Sequence, residues 1–182
     1  VHGYELWKSD GTEAGTVMVK DIVSGSGSSM PWGAGVKAQI AALNNTVYFV
    51  VNDGIHGEEL WKSDGTEAGT VMVKDINPTN VNSGNSDIRT LTSMGDTMYF
   101  RADDGTHGSE LWKTDGTTSG TVMVKDIFSG SSPGVPESNR MTAVGNTLYF
   151  TANDGTHGHE LWKSDGTFSG TVMVKNINTH GL

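Results

Sequence analysis

Glu160-Leu161-Trp162-Lys163-Ser164-Asp165-Gly166-Thr167 is a stretch that this chain of 182 residues writes three times unchanged and a fourth time with one letter altered. ELWKSDGT stands at Glu5–Thr12, Glu59–Thr66 and Glu160–Thr167 and ELWKTDGT at Glu110–Thr117, the starts lying 54, 51 and 50 residues apart. A period of about fifty residues marks a repeat architecture, in which each copy is one supersecondary unit that buries its apolar surface against the next. The flanking words recur as well. Upstream stand Asn52-Asp53-Gly54-Ile55-His56-Gly57, Asp103-Asp104-Gly105-Thr106-His107-Gly108 and Asn153-Asp154-Gly155-Thr156-His157-Gly158. Downstream an apolar run closes on lysine at Gly15–Lys20, Gly69–Lys74, Gly120–Lys125 and Gly170–Lys175. A Tyr-Phe pair appears three times rather than four, at Tyr48-Phe49, Tyr99-Phe100 and Tyr149-Phe150, so the chain opens in the middle of a repeat.

Each complete repeat predicts four strands. The first is short and ends at a two-residue turn: Ile40–Leu43 before Asn44-Asn45, Leu91–Met94 before Gly95-Asp96, and Met141–Val144 before Gly145-Asn146. The second carries the aromatic pair, at Thr46–Val51, Thr97–Ala102 and Thr147–Ala152; the third is the ELWK stretch; the fourth begins at Thr16, Thr70, Thr121 and Thr171. Gly, Asn and Asp in the turns supply the positive φ of tight hairpins, so consecutive strands pair antiparallel into a meander. Val47-Tyr48-Phe49-Val50-Val51 is apolar on both sides, as in a sheet covered on both faces. The expected fold is all-β, with β-propeller-like blades and about three and a half repeats, forming a partial propeller or an open array. The expected units are a half repeat of third and fourth strands over 1–22, then repeats over 38–76, 89–127 and 140–182, the last with a short tail. Linkers rich in Ser, Gly, Pro and Asn join them at Val23–Lys37, Asn77–Asp87 and Phe128–Asn139.

Composition narrows the function classes. Twenty-one acidic residues against twelve basic ones leave a formal charge of -9, which repels phosphate backbones and anionic lipid. With no cysteine there is neither a disulfide framework nor a thiolate metal site, and no apolar run reaches the roughly 20 residues that span a bilayer. The chain starts at Val1 with no signal peptide, as a trimmed piece of something longer would.

The recurring pattern YFxAxDGxHGxELWKxDGTxxGTxMVKxI resembles the ELWxxDGT repeat of large bacterial proteins, over the whole chain except its linkers. The resemblance implies an extracellular or surface-exposed repeat protein, without implying an activity. No nucleophile elbow, phosphate loop or paired-carboxylate signature stands in the chain. A sialidase-like arginine cluster would have to be built from Arg89, Arg101 and Arg140, which do not share one repeated position. The expectation is therefore a protein that is not an enzyme and needs no cofactor.

Individual residues carry their own expectations. Trp7, Trp61, Trp112 and Trp162 read as core anchors, whereas Trp32, beside Pro31 and Gly33, is a candidate for stacking on a ligand such as a glycan. Asp10, Asp64, Asp115 and Asp165 read as turn formers bonding amides two residues on. Asp53, Asp103, Asp104 and Asp154 are candidate calcium ligands, with Asp103-Asp104 the one adjacent pair, although the commoner role of such residues is an Asp-Gly turn. His2, His56, His107 and His157 lie on different repeats and read as turn partners rather than ligands of one metal, with His159 a local extra beside them. Lys62, Lys113 and Lys163 are expected to offset nearby carboxylates.

Four third-and-fourth-strand hairpins against three first-and-second ones leave the hairpin Tyr4–Ile22 unmatched, exposing Leu6, Trp7, Val17 and Val19. The expected function is a structural module that self-associates end to end, in a filament or surface protein, or that joins further repeats of a longer chain. An adhesive module dependent on glycan or calcium is the alternative.

Overall fold

A computed structural model describes residues 2–30, 39–79, 81–138 and 140–177. Fourteen strands and one short 3-10 helix, Val81–Gly84, make up its regular structure. β1 (Leu6–Lys8) and β2 (Val17–Lys20) pair as a hairpin. Three four-stranded sheets follow. The first holds β3 (Ile40–Leu43), β4 (Thr46–Asn52), β5 (Glu58–Ser63) and β6 (Val71–Lys74). The second holds β7 (Arg89–Met94), β8 (Thr97–Asp103), β9 (Ser109–Thr114) and β10 (Val122–Lys125), and the third β11 (Thr142–Val144), β12 (Thr147–Asn153), β13 (His159–Ser164) and β14 (Val172–Lys175). Each is an antiparallel meander in chain order, and the fold is all-β with propeller-like blades.

The second strand of each sheet runs one residue further than expected, because Asn52, Asp103 and Asn153 still pair with Glu58, Ser109 and His159 before the Asp-Gly turn begins. The fourth begins one residue later, at valine. The two-residue turns work through positive φ, at 53° for Asn44 and 58° for both Gly95 and Gly145. Trp61, Trp112 and Trp162 lie directly across from Phe49, Phe100 and Phe150, so each sheet carries a cross-strand aromatic pair at the same register.

The cores lie between sheets. On β9, Trp112 faces the preceding sheet and Leu111 and Lys113 the following one, as expected of strand alternation. Accordingly Trp112 packs with Leu60, Val50 and Val73 of the first sheet, while Leu111 packs with Leu148, Phe150 and Trp162 of the third. The first strands β3, β7 and β11 lie side by side along one edge of the series.

A sheet with neighbours on both sides is buried on both, and Tyr48-Phe49-Val50-Val51 and Met98 to Ala102 are buried throughout. The third sheet has one described neighbour, and β12 and β13 alternate buried with more exposed residues along their length.

The hairpin departs from expectation. Trp7 and Val17 are exposed, but Val19 is buried and Leu6 half-buried, Leu6 packing against a core of Phe49, Val51 and Trp61. Val17 reports nothing about a missing neighbour, since Val71, Val122 and Val172 are exposed in complete sheets too. Trp7 does: it is 54% exposed where Trp61, Trp112 and Trp162 are 8%, 6% and 6%. Trp112→Ala should therefore cost about 3–5 kcal/mol in urea unfolding and Trp7→Ala well under 1, roughly. Equal losses at the two positions would contradict cores that lie between sheets.

Candidate functional site

The joint between successive sheets concentrates the repeated polar residues. Lys8 Nζ donates to the Gly65 carbonyl of the next sheet at 2.7 Å, and Lys62 and Lys113 do the same to Gly116 and Gly166 at 2.8 Å. A second lysine closes each joint: Lys20, Lys74 and Lys125 donate to the carbonyls of Thr70, Thr121 and Thr171, each at 2.8 Å. These ammonium groups also lie 5.9, 5.8 and 5.8 Å over the rings of Trp61, Trp112 and Trp162. A cation at that distance from an indole face gains on the order of 0.5–2 kcal/mol, according to how far it is desolvated.

Lys8, Lys62 and Lys113 of ELWK thus act across the joint as carbonyl donors, besides offsetting nearby carboxylates. The carboxylates they approach are those of the following sheet: Lys8 lies by Asp64, Lys62 by Asp115 and Lys113 by Asp165. Gly116 is required at its joint, because its φ is +89° and a Cβ there would sit 2.5 Å from the Tyr48 hydroxyl.

The loop that ends in the second glycine is held by aspartate. Asp115 Oδ1 accepts from the Thr117 amide at 2.8 Å and the Thr117 hydroxyl at 2.7 Å, and Asp10, Asp64 and Asp165 repeat the pattern. The threonine hydroxyl bonds hold all four carboxyls below the usual carboxylate range. Gly120 is the third member of this loop, since a side chain there would collide with the Asp115 carboxylate.

The glutamate that opens ELWK is the residue that sequence reasoning passed over. Glu59 and Glu110 are fully buried and Glu5 and Glu160 nearly so. Glu59 Oε2 accepts from the Ile76 amide at 3.0 Å, and its Oε1 accepts from the Asn77 amide at 3.2 Å and from the Ser86 hydroxyl. Glu110 accepts the amides of Ile127, Phe128 and Gly134, and Glu5 those of Ile22 and Ser29. Each carboxyl thereby ties the start of a third strand to the segment crossing to the next sheet. That segment is itself clamped: the carbonyls of Ser29, Ser86 and Gly134 each accept the amide that ends the next sheet's second strand, on Asn52, Asp103 and Asn153, all at 2.8 Å.

The candidate calcium ligands are committed to their turns. Oδ1 of Asp53, Asp104 and Asp154 accepts the amides two and three residues on, and Oδ2 meets Nδ1 of His56, His107 and His157 at 2.7 to 2.8 Å. Asp103 accepts the Gly105 amide at 2.8 Å. Among the described residues no three His, Cys, Asp or Glu side chains are grouped to hold a metal ion. Trp32 lies outside the described residues.

Arg101 takes a place that Val50 and Thr151 occupy in the other sheets, and is buried there. Its Nε donates to the Val135 carbonyl at 2.8 Å, and it pairs with Asp87, whose other oxygen holds Arg89 at 3.0 Å. Two of the three arginines therefore converge on one aspartate, an arrangement that closes a joint.

Burial pushes the carboxyls of Glu59 and Glu110 up to about 7 despite the amides and hydroxyl aimed at them. A carboxyl whose folded pKa lies above its unfolded 4.5 makes folding take up protons. Its stabilising contribution is complete below about pH 4.5 and lost as pH rises through 7, by about 3 kcal/mol per carboxyl at most. His56 and His107, raised by their aspartate partners, add a loss of the same sign above 6.5. Unfolding free energy should therefore fall from pH 5 to 8, and the double variant Glu59→Gln, Glu110→Gln should flatten that slope. A slope as steep as in the unaltered protein would contradict the burial account.

No family model and no curated protein matches the chain. Among solved structures, an α-L-arabinofuranosidase (CtGH43) from Clostridium thermocellum is similar over 75% of this chain and 49% of its own, at 18% identity and a TM-score of 0.31. The chain spans about half the length of that enzyme, and a likeness of this size bears on neither activity nor substrate.

Proposed function

We propose that this chain is a non-catalytic structural module of the ELWxxDGT kind, exported to the bacterial surface, which carries stacked sheets in series and self-associates end to end. One observation supports this reading above others: wherever a following sheet is described, the polar side chains that recur from repeat to repeat are consumed by structural bonds. The glutamate holds the crossover, the two lysines hold the next sheet, and the aspartates hold turns. A catalytic or binding residue must keep a face free for its substrate, and a scaffold residue need not. A net charge of -9 also suits a molecule that avoids nucleic acid and anionic lipid.

Sedimentation velocity over rising concentration, with calorimetric titration of millimolar calcium and a glycan array, tests the proposal. The expected result is a mass that grows with concentration and no saturable binding of either ligand. A chain that stays monomeric throughout overturns the reading. Calcium binding abolished by Asp104→Asn, or binding of a glycan, would establish the adhesive alternative instead.

A further inference from the structure

Three joints repeat one set of contacts, and the two outer faces of the series carry the unmatched halves of a fourth. On the outer face of the third sheet, Lys163 and Lys175 occupy the places from which Lys62, Lys74, Lys113 and Lys125 donate, and both are exposed. Around them Leu161 is 39% exposed, Val174 46% and Ile177 67%, where Leu111, Val124 and Ile127 are 0%, 6% and 7%. On the outer face of the hairpin, Trp7 stands uncovered at the place of Trp61, Trp112 and Trp162. Thr16 is likewise exposed, although Thr70, Thr121 and Thr171 are fully buried.

Resting on the reading that the chain self-associates, we propose that the outer face of β11–β14 docks the hairpin β1–β2 of a second copy. Lys163 Nζ donates to the Gly11 carbonyl of that copy, and Lys175 Nζ donates to its Thr16 carbonyl while lying over its Trp7 ring. Tyr149, half-buried here, takes the place against Gly11 that Tyr48 takes against Gly116 and Tyr99 against Gly166. The occupant is a copy of this chain because its hairpin presents together, on one accessible face, the ring and the two carbonyls that the lysines reach at every other joint.

A half sheet suffices as one side of a joint. The hairpin already packs on the first sheet with both lysine bonds and the cation over Trp61, as between complete sheets. The contact is heterologous, since different surfaces meet, so copies add head to tail and the series propagates.

Sedimentation equilibrium of Trp7→Ala, Lys175→Met and the double variant tests the docking, with Val17→Ser as the control on a hairpin side chain that is exposed in every sheet. Both positions are exposed, so the variants keep the fold, checked by circular dichroism. Each single variant is expected to weaken association about tenfold or more, the double variant little further because the two groups form one contact, and Val17→Ser not at all. Association that persists unchanged in both single variants overturns this docking mode while leaving self-association standing. Absence of association in the unaltered chain overturns both.

Discussion

An ammonium group held over an indole ring, and bonded to a carbonyl of the neighbouring sheet, is the contact on which the arrangement of this chain depends. Hydrogen bonds within a meander satisfy one sheet, but they leave two apolar faces that water penalises. Stacking removes the apolar area, yet it also threatens to bury carbonyls that the strand ladder leaves spare, at the Gly of each turn and the Thr before each fourth strand. The lysines supply donors to those carbonyls, and the ammonium groups of Lys20, Lys74 and Lys125 lie over the tryptophan rings. The joint therefore saturates polar groups and buries apolar ones with the same residues, which is why it recurs three times with distances that scarcely change.

The buried glutamate performs a different task, because it acts along the chain rather than across a joint. A linker of variable sequence must leave each fourth strand and deliver the next sheet at a fixed offset. Glu59 captures both ends of its linker, at Ile76-Asn77 and at Ser86, which fixes where the linker leaves one sheet and meets the next. Glu110 does this at Ile127-Phe128 and Gly134. The cost is a carboxyl held in a place that favours its neutral form, and the compensation is the set of amides gathered round it.

Most of the fold was legible in the sequence, because turn residues and apolar runs are local signals that recurred at one period. The Asp64 and Asp115 turns followed from the same local chemistry. Glu59 was not legible, since a carboxylate in a strand ordinarily faces water and nothing in ELWK reveals that its backbone partners come 17 and 18 residues later. The carbonyl bonds of the lysines were not legible for a related reason: Lys62 meets its acceptor 54 residues away, beyond any local pattern. Leu6 and Val19 were read as exposed because the hairpin was considered alone, without the sheet that follows it. Periodicity counted the joints, but which side chain crosses each one required the three-dimensional offset between sheets.

If stability resides in the joints, it must vary along the series according to how many joints a strand shares. Native-state hydrogen exchange at a concentration low enough to keep the chain monomeric measures this directly. The account predicts slowest exchange in β8 and β9, whose sheet is covered on both sides, and fastest exchange in β1, β2, β13 and β14 at the two ends. Uniform protection across all fourteen strands, or greatest protection at the ends, would contradict it.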